Sequence, residues 1–222
     1  MPRRKSLYRS RLAAETEYVC DAARPPAIPD GAPATVEVGM GAGKVLVARA
    51  AANPGRFFLG VELKEERTWQ AVRAARELGL TNIRFLADHV GRIDALIPTG
   101  RFDELLIFFP DPWPRDRDEK RRLVSPQHLR LFARWLKPGA RGVFRTDSKA
   151  LFEYGCETLA AKGWTLLQVE RDVPPAEVAT RYETLWRKLE LPIHQALFER
   201  PATLPDDPAT DVAARPALAA AP

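Results

Sequence analysis

Residues 35–44 read Thr35-Val36-Glu37-Val38-Gly39-Met40-Gly41-Ala42-Gly43-Lys44, and the chain then runs on to Ala52 without glycine or proline. Thr35 to Val38 is a short β-branched run of the kind that suits a strand. Glycines at 39, 41 and 43 follow. Lys44 to Ala52 reads as a helix that stops before Asn53-Pro54-Gly55. A strand, a glycine turn and a helix in that order form the first unit of an α/β sheet. Glycines in the turn let a ligand approach the backbone beside a helix N-terminus.

The same alternation continues outward from this unit. Phe57 to Val61 is a second strand, and Glu65 to Leu78 is a helix with Trp69, Val72, Ala75 and Leu78 at helical spacing. Asn82 to Leu86 is a third strand. Leu105 to Phe109 is wholly apolar, as a central parallel strand buried on both faces should be. Pro126 to Leu136 is a helix, stopped by Lys137-Pro138-Gly139. Gly142 to Thr146 is a fifth strand and Leu151 to Ala161 a further helix. Trp164–Val169 and Ile193–Phe198 are expected to close the sheet. Strictly alternating units predict a mostly parallel sheet with helices on both faces, an antiparallel closing strand, and ligands at the carboxyl ends of the strands.

The chain has 222 residues, 45% hydrophobic and 28% charged, which suits one domain with a full core. Residues 1–33 read as a basic N-terminal arm and lead-in, with a short helix near 10–22. Residues 34–200 read as the folded domain, and the Ala/Pro-rich tail 201–222 as disordered. No apolar run is long enough to span a bilayer. The basic start lacks an apolar segment after it, so the expected compartment is the cytoplasm. Cys20 and Cys156, and the scattered His89, His128 and His194, show no metal-ligand spacing. Lys and Arg number 34 against 29 acids, a net charge of +5 that favours a polyanionic partner.

The turn reads GxGxG, with Lys44 where a dinucleotide site wants its third glycine. Glu37 just before it is a poor neighbour for a diphosphate. A carboxylate suits a cationic ligand instead, and S-adenosylmethionine carries an ammonium and a sulfonium. Glu62 ends the second strand, where an acid takes the ribose hydroxyls of NAD and of S-adenosylmethionine alike. Asp88 follows the third strand and is placed to accept from an adenine amino group. Gly39 and Gly41 would bring the backbone to the same ligand. The fourth strand runs into Phe108-Phe109-Pro110-Asp111-Pro112-Trp113, where two prolines hold one acid. Arg115, Arg117, Lys120, Arg121 and Arg122 come next.

At these residues the sequence resembles the bacterial tRNA (guanine-N7)-methyltransferase family, over about Val36 to Arg200. The matching pieces are the Glu37–Gly43 turn, Gly60-Val61-Glu62, the Pro-Asp-Pro-Trp motif with Lys120-Arg121-Arg122, and Thr146-Asp147. Thr180-Arg181-Tyr182-Glu183 and Phe198-Glu199-Arg200 complete the set. The resemblance implies a Rossmann-like fold, S-adenosylmethionine as methyl donor and tRNA as partner, with guanine 46 of the variable loop as target. It implies cofactor contacts from Glu37, Glu62, Asp88 and Asp111, with Asp111 catalytic. Arg115 stands where the family has a substrate-binding lysine. Asp147, Thr180, Arg181, Tyr182 and Glu183 would hold the guanosine, and Arg117, Lys120, Arg121 and Arg122 would lie on RNA. Asp116, Asp118 and Glu119 interrupt that basic run. The same residues also fit a methyltransferase of another RNA or of a small molecule, and both monomer and homodimer remain open.

Overall fold

The computed structural model describes residues 4–203. In chain order the strands are β1 (Val19–Cys20), β2 (Ala34–Val38), β3 (Phe57–Val61), β4 (Ile83–Leu86), β5 (Phe102–Phe108), β6 (Leu136–Thr146), β7 (Thr165–Glu170) and β8 (His194–Glu199). The helices are α1 (Arg4–Ala14), α2 (Lys44–Ala52), α3 (Glu65–Glu77), α4 (Val90–Ile93), α5 (Pro126–Trp135), α6 (Lys149–Ala161) and α7 (Arg181–Lys188). The strands form one sheet in the order β1-β4-β3-β2-β5-β6-β8-β7. Pairings from β1 across to β6 are parallel, and β8 runs antiparallel to both β6 and β7. The antiparallel closing strand is therefore β8, inserted between β6 and β7.

Strand pleating sends alternate side chains to opposite faces, and each face has its own core. On β3, Phe57, Leu59 and Val61 join the core with Phe132, Trp135 and Phe152 from α5 and α6. Phe58 belongs to the other core, with Leu46, Val72 and Phe85 under α2 and α3. Gly60 lies where a side chain has no room, since an added Cβ would stand 2.3 Å from the Met40 sulfur. That close approach lets the glycine turn fold back over the end of β3, and Gly39 and Met40 both donate backbone hydrogen bonds to Val61 O.

Two expectations change at the edges. The sheet begins before Ala34, because Val19 and Cys20 pair with Phe85 and Leu86. The leading helix lies at Arg4–Ala14, earlier than 10–22, and buries Leu12 with Tyr18 and Val19 against α3. Ion pairs from Arg9 to Glu65 and from Arg76 to Glu15 reinforce that seat. A two-residue strand bounded by turns has too little periodicity to show in sequence. Strand β6 also starts at Leu136, because Lys137-Pro138-Gly139 is an irregularity within the strand where its register on β5 jumps. Arg3 and the tail 204–222 lie outside the described residues.

Gly142 on β6 faces the ring of buried Phe198 on β8, and an added Cβ would fall 2.1 Å from it. Gly142→Ala is expected to lower unfolding stability in urea by about 1–3 kcal/mol through overpacking. Gly55→Ala meets nothing within 4 Å and is expected to stay within about 0.5 kcal/mol of the parent.

Candidate active site

The carboxyl ends of β2, β3, β4 and β5 surround one hollow of about 310 Å³. Glu37, Gly39, Gly41, Glu62, Asp88 and Asp111 all line it. Parallel strands make this convergence unavoidable, since each strand delivers its last residue to the same rim.

Glu37 sits within β2, paired between Gly60 and Leu106, and is 2% exposed. Its Oε2 is buried with no hydrogen-bond partner. Burial pushes its carboxyl pKa up to about 8; Arg49 draws it down and Glu62 adds to the rise. At neutral pH the group is therefore largely protonated, and a cation in the hollow would favour its ionised form. Glu62 is held more firmly. Its Oε2 accepts from Gly41 N and its Oε1 from Lys64 N, each at 2.9 Å. Each oxygen keeps a second lone pair for a hydroxyl donor. One oxygen of Asp88 accepts from His89 N at 2.6 Å and from Arg92 at 2.7 Å. An orphaned buried carboxylate oxygen beside an anchored one fits a ligand that is cationic at one end and carries hydroxyls next to it.

Asp111 is exposed on the rim and has no hydrogen bond or ion pair among the described residues. The loop that carries it is strained. Phe109 and Trp113, the bulky residues that directly flank Pro110-Asp111-Pro112, adopt left-handed φ values of 50° and 42°. Such conformations cost about 1–3 kcal/mol each and persist only where the surroundings enforce them. The enforcing contacts are present. Phe109 N donates to Arg145 O at 2.7 Å, and Arg122 Nε donates to Trp113 O at 3.1 Å. The Arg121 guanidinium lies 3.3 Å from the centre of the Trp113 ring. Arg122 also covers the Tyr154 ring, whose hydroxyl donates to Glu119. Arg121 and Arg122 thus brace the motif from within, and Glu119 serves the same brace. Arg115, Arg117 and Lys120 are exposed and have no ion-pair partner among the described residues.

Thr180, Arg181 and Tyr182, at the start of α7, also line the hollow. Thr180 caps that helix by accepting from Glu183 N at 2.9 Å. Glu183 itself stands elsewhere than the sequence reading placed it. It is 1% exposed, pairs with Arg145 at 3.0 Å and Arg187 at 3.4 Å, and accepts from Ala176 N. It is an anchor that fastens α7 to β6, because a carboxylate buried this deeply needs its cations. Asp147 is half-buried just past β6 and does not line the hollow; nor do Arg115, Arg117, Lys120 and Arg122. His89, His128 and Arg67 do line it, although as isolated residues they carried no motif.

The chain matches the model of a family described as "Putative methyltransferase" over residues 31–196. A tRNA (guanine-N(7)-)-methyltransferase of Levilactobacillus brevis is 33% identical over 178 residues, covering 78% of this chain and 82% of the relative. One from Yersinia enterocolitica is 34% identical, covering 76% and 73%. Among solved structures, 16S rRNA methyltransferase KamB superposes with a TM-score of 0.59 at 20% identity, covering 81% of this chain and 97% of that one. A mutant 16S rRNA (adenine(1408)-N(1))-methyltransferase from Catenulisporales acidiphilia, with its cosubstrate, gives 0.58 at 21%, covering 90% and 93%. The fold, the hollow at its strand ends and the family match define a methyltransferase. Within that class, the chain belongs to the tRNA (guanine-N7)-methyltransferase family.

The raised pKa of Glu37 sets a pH dependence. A folded pKa of about 8 lies above the unfolded carboxylate value, so this group favours the fold below about pH 4.5 and loses that contribution as pH rises through 8. Glu37→Gln is expected to be nearly neutral for stability at pH 5. At pH 9 it should stabilise the ligand-free protein by something on the order of 2–4 kcal/mol. Urea denaturation at the two pH values measures the difference.

Proposed function

We propose that the chain transfers a methyl group from S-adenosylmethionine to N7 of guanine 46 in the variable loop of tRNA, in the cytoplasm. The observation that carries this reading is the single hollow ringed by Glu37, Glu62, Asp88 and Asp111, with the outermost acid unpartnered. No helix of the described residues is long and apolar enough to cross a membrane.

S-adenosylmethionine supplies an electrophilic methyl group on a cationic sulfur. Guanine N7 is a neutral lone-pair nitrogen without a proton, so the chain needs no general base to prepare it. What the protein must provide is alignment and charge. Glu37 and Glu62 hold the ammonium end and the ribose, and Asp88 faces the base. Asp111 places a fixed negative charge where positive charge moves toward the purine, and stabilises the transition state there. The prolines and the braced Trp113 keep that charge in place before substrate arrives. Thr180, Arg181 and Tyr182 line the same hollow and are suited to hold the guanosine, while Asp147, just past β6 and outside the hollow's lining, is a candidate for the part of the nucleotide that projects from it. Glu183 supports them from below.

Arg115 is suited to guanine O6 or a phosphate, since a donor on N7 would block its lone pair. Arg117 and Lys120 offer charge for the RNA backbone. The basic triplet contributes less, because Arg121 and Arg122 are already engaged on aromatic rings. An unstacked loop base is an accessible target, since N7 of a helical guanine lies in the narrow major groove of A-form RNA.

Mass spectrometry of tRNA nucleosides after incubation with labelled cofactor should show 7-methylguanosine, and its absence refutes the reading. In the same assay under single-turnover conditions, Asp111→Asn should slow methyl transfer about 100-fold; a rate within about threefold of the parent, under ~0.7 kcal/mol, removes this role from Asp111. Replacing Arg117 and Lys120 together by alanine should reduce the slope of log Kd for tRNA against log salt by about 1.5, read by filter binding across a KCl series.

A further inference from the structure

His128 lies on α5 and is 2% exposed. Its Nδ1 is 2.8 Å from the Arg122 carbonyl and 3.1 Å from Ser125 Oγ. A carbonyl oxygen only accepts, so Nδ1 carries the proton and Nε2 is left with a bare lone pair. That Nε2 is buried and has no hydrogen-bond partner. The ring stacks on Phe132 at 6.2 Å, which limits its freedom to turn away. Burial holds its pKa below the usual histidine value, so the ring is neutral at neutral pH. A buried acceptor without a donor is costly and calls for an explanation.

The same side chain is part of the wall of the cofactor hollow. Its ring centre is 6.3 Å from that of His89, which follows Asp88 at the end of β4. His89 does not satisfy it. The Nδ1 of His89 accepts from Gly91 N at 3.1 Å, and no bond joins the two rings. A ribose at Glu62, on β3, directs the nucleoside base toward the neighbouring strand β4, after which Asp88 and His89 line the same hollow as His128. Asp88 uses one oxygen on His89 N and Arg92, which leaves the other as an acceptor. Two acceptors of this kind match a donor with two hydrogens, and neither matches a carbonyl.

We propose that His128 Nε2 accepts one hydrogen of the exocyclic amino group of the bound nucleoside, making the hollow selective for adenine over a 6-oxopurine. His128 is then a positioning and specificity residue for the methyl donor. This rests on the reading of the hollow as the S-adenosylmethionine site.

The test is calorimetric binding of S-adenosylhomocysteine and of its inosine analogue, in which the amino group is replaced by oxygen. The parent should prefer the adenine form by at least tenfold. His128→Phe should weaken S-adenosylhomocysteine binding about 3- to 10-fold and leave the analogue unchanged. His128→Gln, which can still present an oxygen near the Nε2 position, should restore much of the preference. Independently, in ¹⁵N-histidine-labelled parent the unprotonated Nε2 resonance should shift when S-adenosylhomocysteine is added. This measurement decides the matter if the phenylalanine variant does not fold. Tight binding by the parent with an unmoved Nε2 resonance, or an unchanged preference in a folded His128→Phe, overturns the inference and leaves the cofactor reading standing. Failure of the parent to bind either compound overturns both.

Discussion

A carboxylate placed where water cannot reach it governs this molecule. Glu37 lies in the second strand of the sequence and at the middle of the sheet, between Gly60 and Leu106. Its buried oxygen has no partner in the protein. The fold tolerates this by keeping the group largely protonated, and under the proposed function the stability given up there is recovered as attraction for a cationic ligand. Everything around it serves that arrangement. The glycine turn leaves room above it, the missing side chain at Gly60 lets Met40 pack beneath the turn, and Glu62 ties the turn to the neighbouring strand through Gly41 N.

The second centre of organisation is the loop after β5. It holds two bulky residues in left-handed conformations around one free acid. A loop with that much local strain would relax if it stood alone. Two arginines prevent it, one stacked on Trp113 and one bonded to its carbonyl. These residues belong to a basic run that looks in sequence like a surface for phosphate. The structure divides the run by duty: its last two arginines hold the motif, and Arg115, Arg117 and Lys120 remain turned to solvent. The interleaved acids, which in sequence look like interference, partly belong to the same brace, since Glu119 accepts from Tyr154.

Much of this was legible before any coordinates. The helix at Lys44–Ala52 and the strand at Phe57–Val61 follow from patterning and their flanking breakers, and the apolar run after Leu105 follows from burial on both faces. The acids at the strand ends were legible because parallel strands send their termini to one rim. Other features left no trace. Val19–Cys20 is too short for any period. Glu183 reads as part of a binding segment, but its partners Arg145 and Arg187 stand on two different elements, and only their meeting turns it inward. His128 is a lone histidine on an amphipathic helix until the Arg122 carbonyl fixes which of its nitrogens is bare.

The sequence by itself determined the layering of strands and helices, the glycine turn, and the four acids at the strand ends. Each of these depends on local periodicity or on chain order, and both are written linearly. Tertiary structure alone decided which charges remain available. Whether an arginine braces a tryptophan or faces solvent, and whether a glutamate lines the hollow or anchors a helix, depends on side chains brought together from distant parts of the chain. So does the protonation of Glu37, because burial is a property of the packed sheet and of no single residue within it.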